Sequence, residues 1–346
     1  MNKPHTKWSR VALIGVGASL LVGVFVLAFS WPSVTSGVHG IPLAVSGEGT
    51  AADTVAAQLE ASASEQFDIT RVATRDDAEA LIESRDAFGA VVLDSPVPEV
   101  LTASANGVVV SQIFSTLAAQ LQTSFAQQLG SQGVAADAVP TIAVTDLVPF
   151  ASTDSRGAGL TTLSFPLVIG GMIGGVAVSL LVAGVWRRIT AVAIYAVAAG
   201  IVVVAITQAW FGILQGDALV NALAVAASIL AISSLIVGLN ALIGPPGIAV
   251  GAVVSLLVGN PISGASQPWE FLPEPWGAIG QFFPPGAGST LLRDLSYFPA
   301  ASTLQPWLVL AGWIALGVVL MALGHFRNQA VLPAQDALEE PRLTLP

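Results

Sequence analysis

Six apolar stretches, each free of Asp, Glu, Lys, Arg and His, punctuate the chain. They run Val11–Trp31, Leu163–Trp186, Ile189–Phe211, Leu219–Ile243, Ile248–Val258 and Leu304–Leu323. A hydrocarbon core about 30 Å thick needs ~20 apolar residues in a helix. Most of the stretches meet that length; the fifth is short and follows the breaker Gly244-Pro245-Pro246-Gly247. The pattern predicts an α-helical polytopic membrane protein with six transmembrane helices. The first stretch has a basic start and a small-residue exit, as a signal peptide would. Its length exceeds the ~7–15 residues of a signal core, which favours a retained anchor.

Between the first and second stretches the periodicity changes. Ile41–Ser46, Phe67–Val72 and Phe88–Leu93 read as strands, Glu99–Ser104 and Thr141–Val144 as shorter ones. Helical patterns occupy Ala51–Ala63 and Arg75–Ser84, with Thr50 and Asp53 spaced like a capping box. Strand–helix alternation of this kind predicts an α/β layer domain over 32–160. The Gly47-Glu48-Gly49 turn suits an ordinary helix entry better than an anion cradle, since Glu48 would repel phosphate. A helix over Val108–Leu129 carries Val110, Phe114, Leu117, Leu121 and Phe125 on one face. Its other side is rich in glutamine and holds no charge. The stripe suits packing on its own domain; the uncharged side, with Gln120 and Gln127, is a candidate for self-association.

Charge fixes the expected orientation. The net charge is −10, and 15 of the 22 acidic residues lie between Val34 and Arg156. Charged residues make up only 10% of the chain, against ~25% in soluble domains. Lys3, Lys7 and Arg10 precede the first stretch, Arg187 and Arg188 separate the second from the third, and Arg327 follows the last. Basic residues in short loops stay in the cytoplasm. The expectation is a cytoplasmic membrane protein with both termini inside and 32–160 outside. The expected divisions are 1–31, tail and first helix; 32–160, extracytoplasmic domain; 161–327, five further helices; and 328–346, a cytoplasmic tail. The segment 260–303, apolar and aromatic for a loop, reads as a re-entrant hairpin before the last helix.

The chemistry expected is sparse. Cysteine is absent, and the three histidines, His5, His39 and His325, are scattered. No metal cluster, histidine triad or cofactor motif follows from neighbouring residues. The only lysines, Lys3 and Lys7, close no phosphate loop, and no basic stripe suits nucleic acid. A non-enzymatic role with no cofactor is the expectation. Gly170, Gly171, Gly174 and Gly175 form small-xxx-small pairs suited to close helix packing. Pro245, Pro246, Pro284 and Pro285 mark a turn, a hinge or the re-entrant loop.

Longer motifs give a resemblance. Pro149-Phe150, Asp154-Ser155-Arg156-Gly157-Ala158-Gly159, Pro166–Gly175, Gly244–Ile248, Gly259–Gly264, Leu272–Gln281 and Pro284–Gly288 together resemble the type-2 ABC exporter permeases of the phage-infection-protein (YhgE/Pip-like) group. The resemblance implies a permease-like subunit that dimerises with itself or a related permease and exports a substrate using a separate ATPase. A cytoplasmic coupling helix for that ATPase has no clear counterpart here. The alternative is a non-transporting surface scaffold or receptor for envelope assembly, secretion or phage entry. Either way the lipid bilayer is the first partner.

Overall fold

A computed structural model describes residues 7–47, 49–63 and 66–329. The first helix, α1 (Trp8–Thr35), leads to β1 (Ile41–Ser46), α2 (Thr50–Ala63), β2 (Phe67–Val72), α3 (Arg75–Glu83), β3 (Gly89–Val92) and β4 (Glu99–Thr102). Helix α4 (Val108–Ser131) and β5 (Ala143–Asp146) complete the sheet unit. The apolar half follows as α5 (Ala158–Leu181), α6 (Val185–Val204), α7 (Ala218–Ile243) and α8 (Pro246–Ala252). Then come α9 (Trp276–Gly280), α10 (Pro284–Tyr297) and α11 (Leu304–Gln329). Helix α6 continues as a π-helical turn over Ala205–Trp210, and α8 over Val253–Gly259.

The sheet order is β2-β1-β3-β4-β5. Strands β1, β2 and β3 are parallel, β4 runs antiparallel to β3, and β5 parallel to β4. The first crossover steps outward from β1 to β2, and the second returns across β1 to β3. Right-handed crossovers of opposite step place their helices on opposite faces. Accordingly Leu43, Val45, Val91 and Val100 pack with α2 and α4. Their neighbours Ala44, Ala90 and Leu101 pack with Ala78 and Ile82 of α3. Helix α3 starts with a capping box in which Thr74 and Asp77 bond reciprocally. Asp53 of α2 pairs with Arg71 at 2.5 Å. Glu48 of the glycine turn lies outside the described residues, as does the Thr50 side chain.

Five helices are long and apolar enough to cross a membrane: Trp8–Pro32, Ala158–Leu181, Val185–Trp210, Ala218–Ile243 and Leu304–Phe326. The chain is a helical polytopic membrane protein by that measure. The expected sixth span is not among these five. Its stretch forms a shorter apolar helix over Pro246–Gly259, and because α7 and α11 are parallel the chain still has to return along the bundle between them. The first helix also passes through Pro32 and ends at Thr35, beyond the expected limit at residue 31.

Helix α7 is the centre. Its span is 72% buried, against 22% for α6 and for α11. A helix apolar all round belongs inside a bundle. Ser233 donates to the Gly171 carbonyl of α5 at 2.8 Å. Gly317 and Gly324 of α11 lie against Ser234 and Ala241, so α7 and α11 are parallel. Gly200 of α6 abuts Ala222 and Ala226 from the antiparallel direction. The expected re-entrant loop is in part a helix: α10 packs its buried side against α7 and α11.

Candidate functional site

Where the sheet unit meets the helical bundle, charged side chains are buried together. The chain turns after α3 through Arg85, which holds a left-handed φ of 64°. Non-glycine residues pay a steric cost there, so the surroundings must hold the residue in place. They do. Arg85 Nη1 donates to Asp294 Oδ1 at 2.7 Å, and Nε donates to Asn106 Oδ1 at 3.0 Å. The two charged side chains are only 11% and 5% exposed. The guanidinium also lies over the Phe298 ring, 5.7 Å from its centre.

Helix α10 supplies the bundle half. Arg293 Nη1 donates to the Asn106 carbonyl at 2.7 Å, and Nη2 reaches the Ala265 carbonyl at 3.5 Å. Burial and the neighbouring Arg85 pull the Arg293 guanidinium down to about 10, so it stays protonated at neutral pH. Glu270, in the segment before α9, has a buried Oε2 with no hydrogen-bond partner. Burial pushes its carboxyl up, against the attraction of Arg85 and Arg293. Burial likewise raises Asp294, opposing the pull of Arg85. Phe150 and Tyr297 stack edge to face at 6.0 Å. Tyr297 donates to the Ile213 carbonyl at 2.8 Å, joining α10 to the α6–α7 connection.

This arrangement makes a polar hinge plate between a sheet and a bundle. One ion pair, Arg85–Asp294, and the bond from Arg293 to the Asn106 carbonyl join the two units. Phe150 belongs to a motif already read in the sequence, but Arg85, Glu270, Arg293 and Asp294 did not stand out there. Their partners are separated by up to 209 positions, so no local spacing carries the signal. The one legible cue is Arg293-Asp294 inside an otherwise apolar stretch, where ionisable residues are rare without a role.

The residues singled out from sequence lie elsewhere. A Cβ on Gly171 would approach Ile232 to 2.7 Å, and one on Gly175 would approach Ile236 to 2.9 Å. Gly174 lies against the Tyr195 ring of α6. Gly170 has room for a side chain, and its carbonyl accepts from the Tyr195 hydroxyl at 2.7 Å. Pro245 and Pro246 start α8, while Pro284 and Pro285 start α10. All four therefore sit where proline's missing N–H has no helical partner to lose. The structure puts Pro284 and Pro285 in the interior rather than in an open loop.

The α4 stripe turns inward: Val110, Phe114 and Leu117 belong to the sheet core. Gln120 and Gln127 are exposed. Gln122 is engaged instead, donating to the Pro140 carbonyl and accepting from the Ile142 N–H. Among the described residues no group of histidines and carboxylates could hold a metal ion. The segment after α8 is tightly folded. Backbone of Trp269 and Ile262 lies so close to Gly277 and Gly280 that neither position has room for a Cβ. Phe271 from this segment inserts into the sheet core, while Trp276, Ile279 and Phe282 face outward.

Comparisons with protein-family profiles, with curated proteins and with solved structures find no match to this chain.

Proposed function

We propose that this chain is a permease-like membrane subunit for export across the cytoplasmic membrane, powered by a separate ATPase. The observation that carries the reading is the layout. A sheet domain is inserted after the first span, and a half-length helix with a buried partner helix closes on α7 before the last span. Resemblance to the type-2 ABC exporter permeases of the phage-infection-protein group implies one span, a large outer domain and five further spans with a re-entrant loop before the last, and the inserted sheet domain and the folded segment before α11 support that reading. The basic residues support the orientation. Lys7 and Arg10 stand at the start of α1, Arg187 and Arg188 at the start of α6, and Arg327 near the end of α11. In this reading those ends are cytoplasmic and the sheet domain is extracytoplasmic. Exposed tryptophans agree: Trp186 and Trp210 bracket α6 about 36 Å apart, the spacing of two interfacial belts.

The buried plate of Arg85, Asp294 and Arg293 would couple movements of the bundle to the outer domain. A fixed ion-pair registry suits rigid-body transmission better than a flexible tether. The chain's lysines form no phosphate loop, so hydrolysis falls to a partner.

A second reading, a non-transporting scaffold or receptor at the cell surface, is favoured by the dense packing around α7. Affinity purification of the full chain in mild detergent, with identification of co-purifying proteins, separates the two. Recovery of an ATPase whose activity changes on addition of this chain supports export. Recovery of envelope proteins without any ATPase overturns it in favour of the scaffold.

A further inference from the structure

At the end of α5 remote from the sheet unit, a cavity of about 210 Å³ opens in the bundle. The turn from α5 to α6, the carboxyl end of α7 and the last turns of α11 enclose it. One water needs only ~10–15 Å³ of such space, so a phosphate group fits. Arg188 of α6 and His325 of α11 line it, with Ala241 and Met321 as apolar walls. Gly324 packs so closely on the Ala241 carbonyl that it has no room for a Cβ, which closes the gap between α7 and α11.

The charge at this end has one sign. Segments 179–190, 238–250 and 318–329 build it, and they contain no Asp or Glu. They carry Arg187, Arg188, His325 and Arg327. Among the described residues Arg188 makes no ion pair. Its Nε and Nη2 donate to the Val182 and Ser179 carbonyls at 2.8 and 3.2 Å. Those bonds fix the guanidinium plane without neutralising it. Nη1 has no partner among the described residues and stays open to solvent. The donor fork is therefore anchored on one side and free on the other.

Its depth matches lipid headgroups. Arg188 lies two residues beyond Trp186 in α6, about 3 Å along the helix, and Trp186 is 78% exposed. Tryptophan at the end of a span marks the headgroup level. Leu180, Leu181 and Phe326 are exposed close by and give the flank an apolar surface. Basic pockets between transmembrane helices take anionic headgroups. Guanidinium matches phosphate oxygens in geometry as well as charge.

We propose that this cavity binds the phosphodiester headgroup of an anionic phospholipid. Arg188 Nη1 donates to a phosphate oxygen, and His325 supplies a polar wall. The acyl chains run along Leu180, Leu181 and Phe326. The inference requires only that the bundle lies in a bilayer, and it holds for an exporter or a scaffold alike.

The test titrates the purified full chain in maltoside detergent with three probes: dioleoylphosphatidylglycerol, dioleoylphosphatidylcholine and sn-glycerol 3-phosphate. Native mass spectrometry counts the bound molecules. Phosphatidylglycerol is expected to bind at least about five-fold more tightly than phosphatidylcholine, the weight of one interfacial cation. Arg188→Gln is expected to abolish that preference. Arg187→Gln, at an exposed neighbour outside the cavity lining, is expected to keep it. Equal binding of the two lipids, or a preference that survives Arg188→Gln, overturns the proposal. Equal loss in Arg187→Gln also overturns it, because diffuse surface charge would then suffice. Glycerol phosphate bound as tightly as the lipid overturns it too, since the site would then take a soluble anion. Ala183→Phe puts bulk at the exposed rim and leaves the Arg188 bonds in place, in case Arg188→Gln does not fold. Loss of the preference there supports the site, and an unchanged preference overturns it. The sequence beyond α11 carries Asp336, Glu339 and Glu340. Combining Asp336→Asn, Glu339→Gln and Glu340→Gln is expected to leave the preference as it was. A preference that emerges only in that triple variant assigns the cavity to the chain's own tail and overturns the proposal.

Discussion

Arg85 and Asp294 show how much a single contact decides at the junction. Asp294 is buried and Arg85 nearly so, each is the other's counter-charge, and they come from opposite halves of the molecule. Removing one partner of a buried pair leaves the other charge uncompensated, which costs about 3–5 kcal/mol. Asp294→Ala is therefore expected to lower the thermal midpoint in detergent sharply and to expose the junction to protease. Loss of only a few tenths of a kcal/mol would mean that water already screens the pair. Glu270 gives a pH prediction with a defined sign. Its folded-state carboxyl is raised by burial, so the folded protein holds that proton more tightly than the unfolded chain. The stabilisation is complete below the ordinary carboxylate range and is lost as pH rises through the raised value. Glu270→Gln is expected to remove this part of the slope and to stabilise the protein above that window. Thermal melts across pH, wild type against variant, measure it; parallel slopes would show that Glu270 is not the responsible group.

Among the elements, α5 and α7 are joined by the absence of side chains. Gly171 and Gly175 let α5 approach Ile232 and Ile236, and Gly174 admits Tyr195. Without a hydrophobic force between helices in lipid, such close packing is a main source of association. Gly174→Leu should lower folded yield, while Gly170→Ala, where there is room, should not. Comparable yields by fluorescence-detected size exclusion would place the helices further apart than they lie here. The tip between α5 and α6 has a second device: Arg188 donates to the Val182 and Ser179 carbonyls, satisfying the end of α5. A basic residue on which the proposed orientation rests thus also caps a helix. In the sheet unit, α4 has its stripe in the core and its glutamines outside. If two copies associate through this helix, only the glutamine side remains available. Glu at both Gln120 and Gln127 is expected to weaken a dimer by like-charge repulsion. Sedimentation in detergent reads the change, and an unaltered association state would assign that face to solvent.

The whole molecule divides into a sheet unit and an apolar helical bundle. The carboxyl end of α1, the sheet unit, the amino end of α5 and the segment before α11 all meet on one side. The orientation is testable because the chain has no native cysteine. A cysteine at exposed Ser155 should react with an impermeant thiol reagent in intact cells, and one at Ser9 should not. Labelling of Ser9 in sealed cells would invert the assignment.

Much of this layout was legible in the amino-acid order, because it depends on periodicity and length. Strands Ile41–Ser46 and Phe67–Val72 fall where alternation placed them. Uninterrupted apolar runs of more than ~20 residues became spans, since backbone polar groups in lipid must bond within their own helix. Tertiary structure decided what local pattern does not encode. Pro246–Gly259 formed a helix shorter than the five long apolar ones. The stretch before the last span became α10 because its buried face had α7 and α11 to cover it. The site at Arg85, Glu270, Arg293 and Asp294 arose only when distant segments met. Charges in sequence carry no address for their partners: burial and distance, which the fold alone sets, determine whether they attract, titrate or hold a ligand.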